Sequence, residues 1–317
     1  MVGIEYKATL ITNEFQSNKV PVKRGLFFVL KTDFHKSLTI NDLRRAARHK
    51  CLAINDLQLF YFKCTFFLVL LPKVCDSIHM IKQTLLTAGN AKITKGEAFG
   101  YLTKGIHLAP ANLSGYEVCR WRSKGCTMAC LNTAGRGQMN SVQDSRIAKT
   151  KLFFEQRFDF LAKLSKEITS TIKSASKKGL QAVFRPNLTS DIAWEDITNE
   201  DGKTIFAKHS STQFYDYTKS FKRMKAFLDG ELPSNYHLTF SCSESNEKIA
   251  KLVLEMGGNV AVVFRNQLPE TWNGVAVVNG DESDLRFLDQ QGVVVGLIEK
   301  GLAKQDETGF VKEGINS

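Results

Sequence analysis

The sequence predicts an α/β protein: a parallel barrel or partial barrel, TIM-like, with a cysteine-containing loop region toward its N-terminal side. Three observations predict it. Beyond residue 180, short apolar runs alternate with helical segments, the pattern of a sheet with parallel strands. Two of those runs, near 260 and 293, are apolar at successive positions, as strands buried on both faces are. A long helical stretch follows the cysteine region, and no G-x-G-x-x-G follows a strand, which favours a barrel over a dinucleotide-binding sheet.

The chain has 317 residues, enough for one large domain or two ordinary ones. Its basicity is uneven. Residues 1–79 hold 12 Lys and Arg against 6 Asp and Glu, a net +6 of the chain's +11. The most apolar stretch there, Leu57 to Pro72, is short for a membrane span and carries Lys63 near its middle, so no membrane partner is expected. Met80 opens a more orderly sequence. The expected organisation is an extension over 1–79, upstream of a natural start at Met80, followed by a single α/β domain over 80–317. A pI of about 9.2 predicts an anionic partner, nucleic acid or nucleotide. Seven cysteines in no regular framework, and no signal peptide, predict a cytoplasmic protein.

In chain order, residues 85–110 read as an extended region, with a turn at Lys95-Gly96. The run Cys119 to Gly137 then gathers three cysteines at C-x6-C-x3-C spacing among basic residues. Thiolates this close suit an iron-sulfur cluster or zinc, so Cys119, Cys126 and Cys130 are the expected metal ligands. Cationic neighbours favour the thiolate. Three protein ligands leave one coordination position open, which suits catalysis. Gly135 and Gly137 predict a bend whose N–H groups face an anion, with Arg136 as a phosphate contact.

A single long helix is expected next, ended by Gly179. Its apolar stripe is Ile147, Phe154, Phe158, Leu161, Leu164, Ile168 and Ile172, with Arg146, Lys149 and other cations on the remaining faces. Strands follow at 182–185, 213–218, 236–241, 259–264, 275–278 and 293–297, with a helix through Ile249 to Met256. In a parallel α/β fold the working residues lie just past the carboxyl ends of the strands. That rule selects Asp191, Asp216 and Asp281 as catalytic carboxylates. It adds Arg185, Lys219 and Arg265 to Arg136, Arg146 and Lys149 as nucleic-acid contacts. Asp191 and Asp281 also fit turn or helix-cap roles. Asp216 is sharper, because a carboxylate amid strand aromatics must be paired or used. His237, inside a strand, reads as a core histidine.

Four stretches resemble motifs of an uncharacterised family of bacteriophages and prophages, the gene product 88 proteins: Gly125 to Gly137, Asn187 to Glu195, Phe214 to Lys219 and Asp284 to Asp289. The resemblance covers about Leu86 to Val311. It implies a phage-encoded protein in the host cytoplasm and brings no settled activity. A cysteine triplet ahead of a parallel barrel is also similar to radical S-adenosylmethionine enzymes. The spacing departs from their C-x3-C-x2-C, and no glycine-rich strand end is evident, so the likeness extends to the cluster rather than to S-adenosylmethionine. The expected function is a nucleic-acid- or nucleotide-modifying enzyme with a cysteine-bound metal or iron-sulfur cluster. One alternative is a deazaguanine/guanine base-exchange transglycosylase with structural zinc, in which Asp216 or Asp191 is the nucleophile. The other is a non-enzymatic nucleic-acid-binding protein.

Overall fold

The computed structural model describes residues 83–87 and 95–314, together with two short strands nearer the N-terminus. The chain divides into two compact units, Met1–Leu68 and Val69–Ser317. In the first, β1 (Tyr6–Thr9) pairs antiparallel with β2 (Val29–Thr32). The expected start at Met80 and the apolar run from Leu57 to Pro72 lie outside the described residues.

The second unit is built on a ten-stranded sheet. Its strands are β3 (Leu86–Thr87), β4 (Tyr101–Ile106), β5 (Gln181–Arg185), β6 (Gln213–Thr218), β7 (Tyr236–Ser241), β8 (Val260–Arg265), β9 (Thr271–Trp272), β10 (Val275–Asn279), β11 (Val294–Ile298) and β12 (Val311–Glu313). They lie in the order β3-β4-β5-β6-β7-β8-β11-β10-β9, with β12 also on β8. Every pairing from β4 through β8 and β11 to β10 is parallel. The end pairs β3–β4 and β9–β10 are antiparallel. Among the described residues no pairing joins β3 to β9, so the sheet is open. Strand β8 has one edge taken by β11; β7 pairs with its beginning and β12 with its end.

Seven helices accompany the sheet among the described residues: α1 (Ala111–Ser114), α2 (Lys124–Met128), α3 (Asn140–Glu155), α4 (Arg157–Lys177), α5 (Ile205–Lys208), α6 (Phe221–Leu228) and α7 (Glu247–Glu255). The single long helix expected from periodicity is therefore two, α3 and α4. Gln156 adopts φ −140° and ψ 54°, outside the helical region, and the helical phase resets there. Phe158, expected in the buried stripe, is 50% exposed, whereas Arg146 and Lys149, expected on solvated faces, are each 7% exposed. Among the described residues no helix is long and apolar enough to cross a membrane.

Successive strand residues face opposite sides of a sheet, and here the two sides differ in chemistry. One side carries Phe184, Phe214, Leu238, Phe240, Val260, Val262 and Phe264, packed with Phe160, Leu164 and Ile168 of α4, Met224 of α6 and Val253 of α7. The other carries Thr103, Arg185, Tyr215, Tyr217, His237 and Thr239 on four adjacent strands. Leu285 and Phe287, in the turn that follows β10, cover part of that polar side.

Candidate functional site

The cysteine run leaves the carboxyl end of β4 by way of α1 and lies across the carboxyl ends of β5, β6 and β7. Each anchor is a specific contact. The Asp191 N–H, beyond β5, donates to the Val118 carbonyl at 2.8 Å. The Cys119 thiol lies 3.8 Å from the Thr189 carbonyl. Glu244, beyond β7, accepts from Ser123 Oγ and from the Gly125 N–H, both at 2.7 Å. Ser123 caps α2 by accepting from the Cys126 N–H at 3.1 Å. Gly125 has to be glycine: a Cβ there would meet Thr308 Oγ1 at 2.1 Å and Phe310 Cβ at 2.6 Å.

Cys119, Cys126 and Cys130 are partly buried free thiols within electrostatic reach of one another. Lys219, past the end of β6, lies near Cys119 and Cys130 and donates to Ser241 Oγ at 2.6 Å. Its cation does not rule the thiols, contrary to expectation. Burial pushes Cys119 up to about 12, with Asp191 and the other two thiols adding to it, and burial raises Cys130 too. Both are therefore neutral thiols at pH 7, and a metal would have to displace their protons. Among the described residues no three His, Cys, Asp or Glu side chains are gathered as a metal ion would need them.

The expected catalytic carboxylates separate. Asp216 is fully buried on the helix-covered side of the sheet. Its oxygens accept from the Asn187 N–H at 2.7 Å, Asn187 Nδ2 at 3.0 Å and Tyr236 Oη at 2.9 Å. Burial raises it to about 7, while Arg185, Asn187, Arg223 and Tyr236 pull it back down. Asp191 pairs with Arg223 at 2.5 Å and accepts from the Lys219 N–H. Asp281 lies past β10, pairs with Lys300 at 2.6 Å and accepts from the Ile298 N–H. Only Asp191 belongs with the thiols.

Most of the expected phosphate contacts are also engaged inside the protein. Arg185 pairs with Asp284 at 3.0 Å, its guanidinium 4.5 Å from the Tyr217 ring centroid. Arg265 pairs with Glu313 and donates to the Lys304 and Asp306 carbonyls. Lys149 donates to the Leu85 carbonyl. Arg146 donates from Nη1 to the Asn132 carbonyl and Oδ1 at 3.0 and 2.7 Å. Arg136 is exposed. The Gly135–Gly137 bend is not an open anion cradle, because the Gly137 N–H donates to the Ala134 carbonyl.

Sequence reasoning passed over the polar side of the sheet. Arg185 Nε, Tyr217 Oη, His237 Nε2 and Thr239 Oγ1 are buried there without hydrogen-bond partners. Parallel strands are normally apolar on both faces, so hydrophilic residues alternating through β6 and β7 were the available signal. His237 is a core residue but an unsatisfied one. Burial, then Arg286, pushes it down to about 4. Its folded pKa lies below the unfolded value of about 6.5, so the stability it contributes is complete above pH 6.5 and is lost as the pH falls toward 4. Urea titrations should show the advantage of wild type over His237→Phe shrinking by about 2 kcal/mol between pH 7 and pH 5. Parallel pH profiles for the two proteins would contradict this.

No curated protein and no solved structure matches the chain. A family model described as gene product 88 matches residues 84–314, which takes in the thiol loop, all of β4 to β12 and every contact described in this site. The chain belongs to the gene product 88 family of phage proteins.

Proposed function

We propose that this protein is a nucleic-acid- or nucleotide-modifying enzyme, a partial parallel barrel whose Cys119, Cys126 and Cys130 hold a metal or iron-sulfur cluster. One observation carries the reading. A loop with three neighbouring thiols spans the carboxyl ends of consecutive parallel strands, beside a sheet face lined with unpartnered polar groups. That edge is where α/β enzymes place their chemistry. The chemistry of the donors suits the group, three soft ligands on a short, partly exposed loop with Lys219 near enough to balance thiolate charge, but the three side chains would have to converge to hold it, because among the described residues they are not gathered as a metal ion needs them. A cluster there would supply electrons, and zinc would supply a Lewis acid or a structural clasp. Around it, Lys219 and Ser241 orient a polar group at the strand ends, and Asp191 fixes the Lys219 backbone.

The base-exchange alternative has less to support it, because of its two candidate nucleophiles Asp216 is fully buried with both oxygens facing donors, and Asp191 is paired with Arg223 and accepts from the Lys219 N–H. The non-enzymatic alternative draws on a different observation. Trp121 is 52% exposed between the exposed Arg120 and Arg122, an arrangement suited to stacking an unpaired base against cations.

The test is metal analysis with a visible spectrum on the anaerobically purified full chain, beside a single-stranded oligonucleotide titration. Iron with sulfide, lost in Cys126→Ala, supports the cluster and makes S-adenosylmethionine the next ligand to try. Zinc alone, lost in the same variant, supports the metal site without redox chemistry. No metal, with salt-dependent oligonucleotide binding lost in Trp121→Ala, would overturn the enzyme reading in favour of the binding protein.

A further inference from the structure

Arg146 is a buried cation that no carboxylate pairs with among the described residues. It projects from α3 beneath the thiol loop at 7% exposure. Its Nη1 bonds are to neutral oxygens of Asn132, and its Nε has no partner. Among the described residues the one side chain that favours its charge is Cys130. A buried charge in this state is costly unless a counter-charge arrives.

The surroundings sharpen this. Asn132, fully buried, leaves its Nδ2 unpartnered, and His107, just past β4, leaves its Nδ1 unpartnered. His107 lies within electrostatic reach of Arg146, Lys149 and Arg185, and burial with these cations pushes it down to about 3. It is therefore a neutral imidazole that can donate one N–H. Lys149, one turn along α3, adds positive charge, offset in part by Glu167. Buried water could satisfy the amide and the imidazole, but water cannot neutralise the guanidinium.

We propose that Arg146, Asn132 and His107 form an oxyanion subsite beside Cys130, which takes the phosphate- or carboxylate-bearing end of the molecule handled at the thiol loop. Three donors from three separate elements match the several acceptor oxygens of such a group, and a guanidinium gives it charge-assisted bonds. The subsite rests on the reading of this edge as the working site, though its donors do not depend on a bound metal. It also discriminates among substrates. A cation this buried serves a terminal oxyanion better than the exposed diester backbone of a duplex.

The test titrates inorganic phosphate and, separately, sodium acetate into the full chain at constant ionic strength, read by calorimetry. Saturable binding weakened about tenfold or more in Arg146→Gln, and unchanged in Lys166→Gln on the exposed face of α4, supports the subsite. The stronger of the two anions identifies the class. If Arg146→Gln fails to fold, hydrogen exchange on wild type takes its place, and phosphate- or acetate-dependent protection should fall on 105–108 and 130–150. No effect beyond that of chloride, or protection elsewhere, overturns the proposal. Metal content of the same samples separates the two readings. Anion binding through Arg146 in metal-free protein keeps the subsite and removes the cluster; metal without anion binding does the reverse.

Discussion

Arg223→Met is expected to destabilise the protein by about 4 kcal/mol, a large fraction of the 5–15 kcal/mol of a typical domain. Arg223 is the centre of a buried relay that joins the segments following β5 and β6 to Tyr236, the first residue of β7. Its Nε and Nη2 bind the Glu195 carboxylate at 2.6 and 3.0 Å, its Nη1 binds Asp191, and its Nη2 also reaches Tyr236 Oη at 2.9 Å. Tyr236 in turn donates to Asp216, and Asp216 fixes Asn187, whose Oδ1 accepts from Ser190, Ile192 and Trp194. Methionine would fill much of the space and leave Asp191 and Glu195 as buried charges without the guanidinium that balances them, Asp191 keeping only the Lys219 N–H. The loss is therefore the cost of stranding them rather than the value of the pair itself. Arg265→Met is the comparison: its partner Glu313 is 64% exposed, and surface pairs of this kind contribute at most about 1 kcal/mol. Urea unfolding of the two variants should separate them clearly, and equal losses would refute the relay.

Gly125→Val is expected to detach the thiol loop while leaving the core in place. Gly125 lies where α2 meets both Glu244 and the segment before β12, and an added Cβ would collide with Thr308, Phe310 and Glu244 Oε2. The loop has to lift, and Glu244 then loses Ser123 and the Gly125 N–H together. Retention of the metal proposed for these thiols should fall more than tenfold, since ligand geometry is sensitive to displacements of a fraction of an ångström. The far-UV signal and the main unfolding transition should change little, because the side chains an added Cβ would strike, Thr308, Phe310 and Glu244, lie outside the principal core. Thiol alkylation supplies a second readout: Cys119, now held partly buried, should react faster in the variant. Wild-type metal content and an unchanged alkylation rate would show that this anchorage does not matter.

The strands were legible because their cue is local. Gln213–Thr218 and Tyr236–Ser241 were read to the residue, and β8 and β11 were expected to be doubly buried and are paired in parallel. Asp216 was read as paired or used, and it is paired. What escaped depends on neighbours distant in sequence. Arg146 and Lys149 looked solvated because charges on a helix usually are, and only the packing of α3 beneath the thiol loop turns them inward. The break at Gln156 has no glycine or proline to announce it. The thiol run was conspicuous, but its protonation was misjudged. Basic neighbours are visible in sequence, whereas burial, which outweighs them at Cys119, is not. Three-residue β12 is too short for any periodicity to register.

That last strand has a consequence for the order of assembly. From β4 to β8 each strand docks on the one made just before it, so most of the sheet can grow as the polypeptide leaves the ribosome. The thiol loop emerges early in that sequence, yet the wall it leans against, Thr308 and Phe310 leading into β12, is synthesised long afterwards. During the interval the three thiols ride on a half-built scaffold, open to oxidants and to scavenging ions alike. The loop reaches its final place late, when the newly made C-terminal segment brings in the Thr308 and Phe310 side chains against which Gly125 packs.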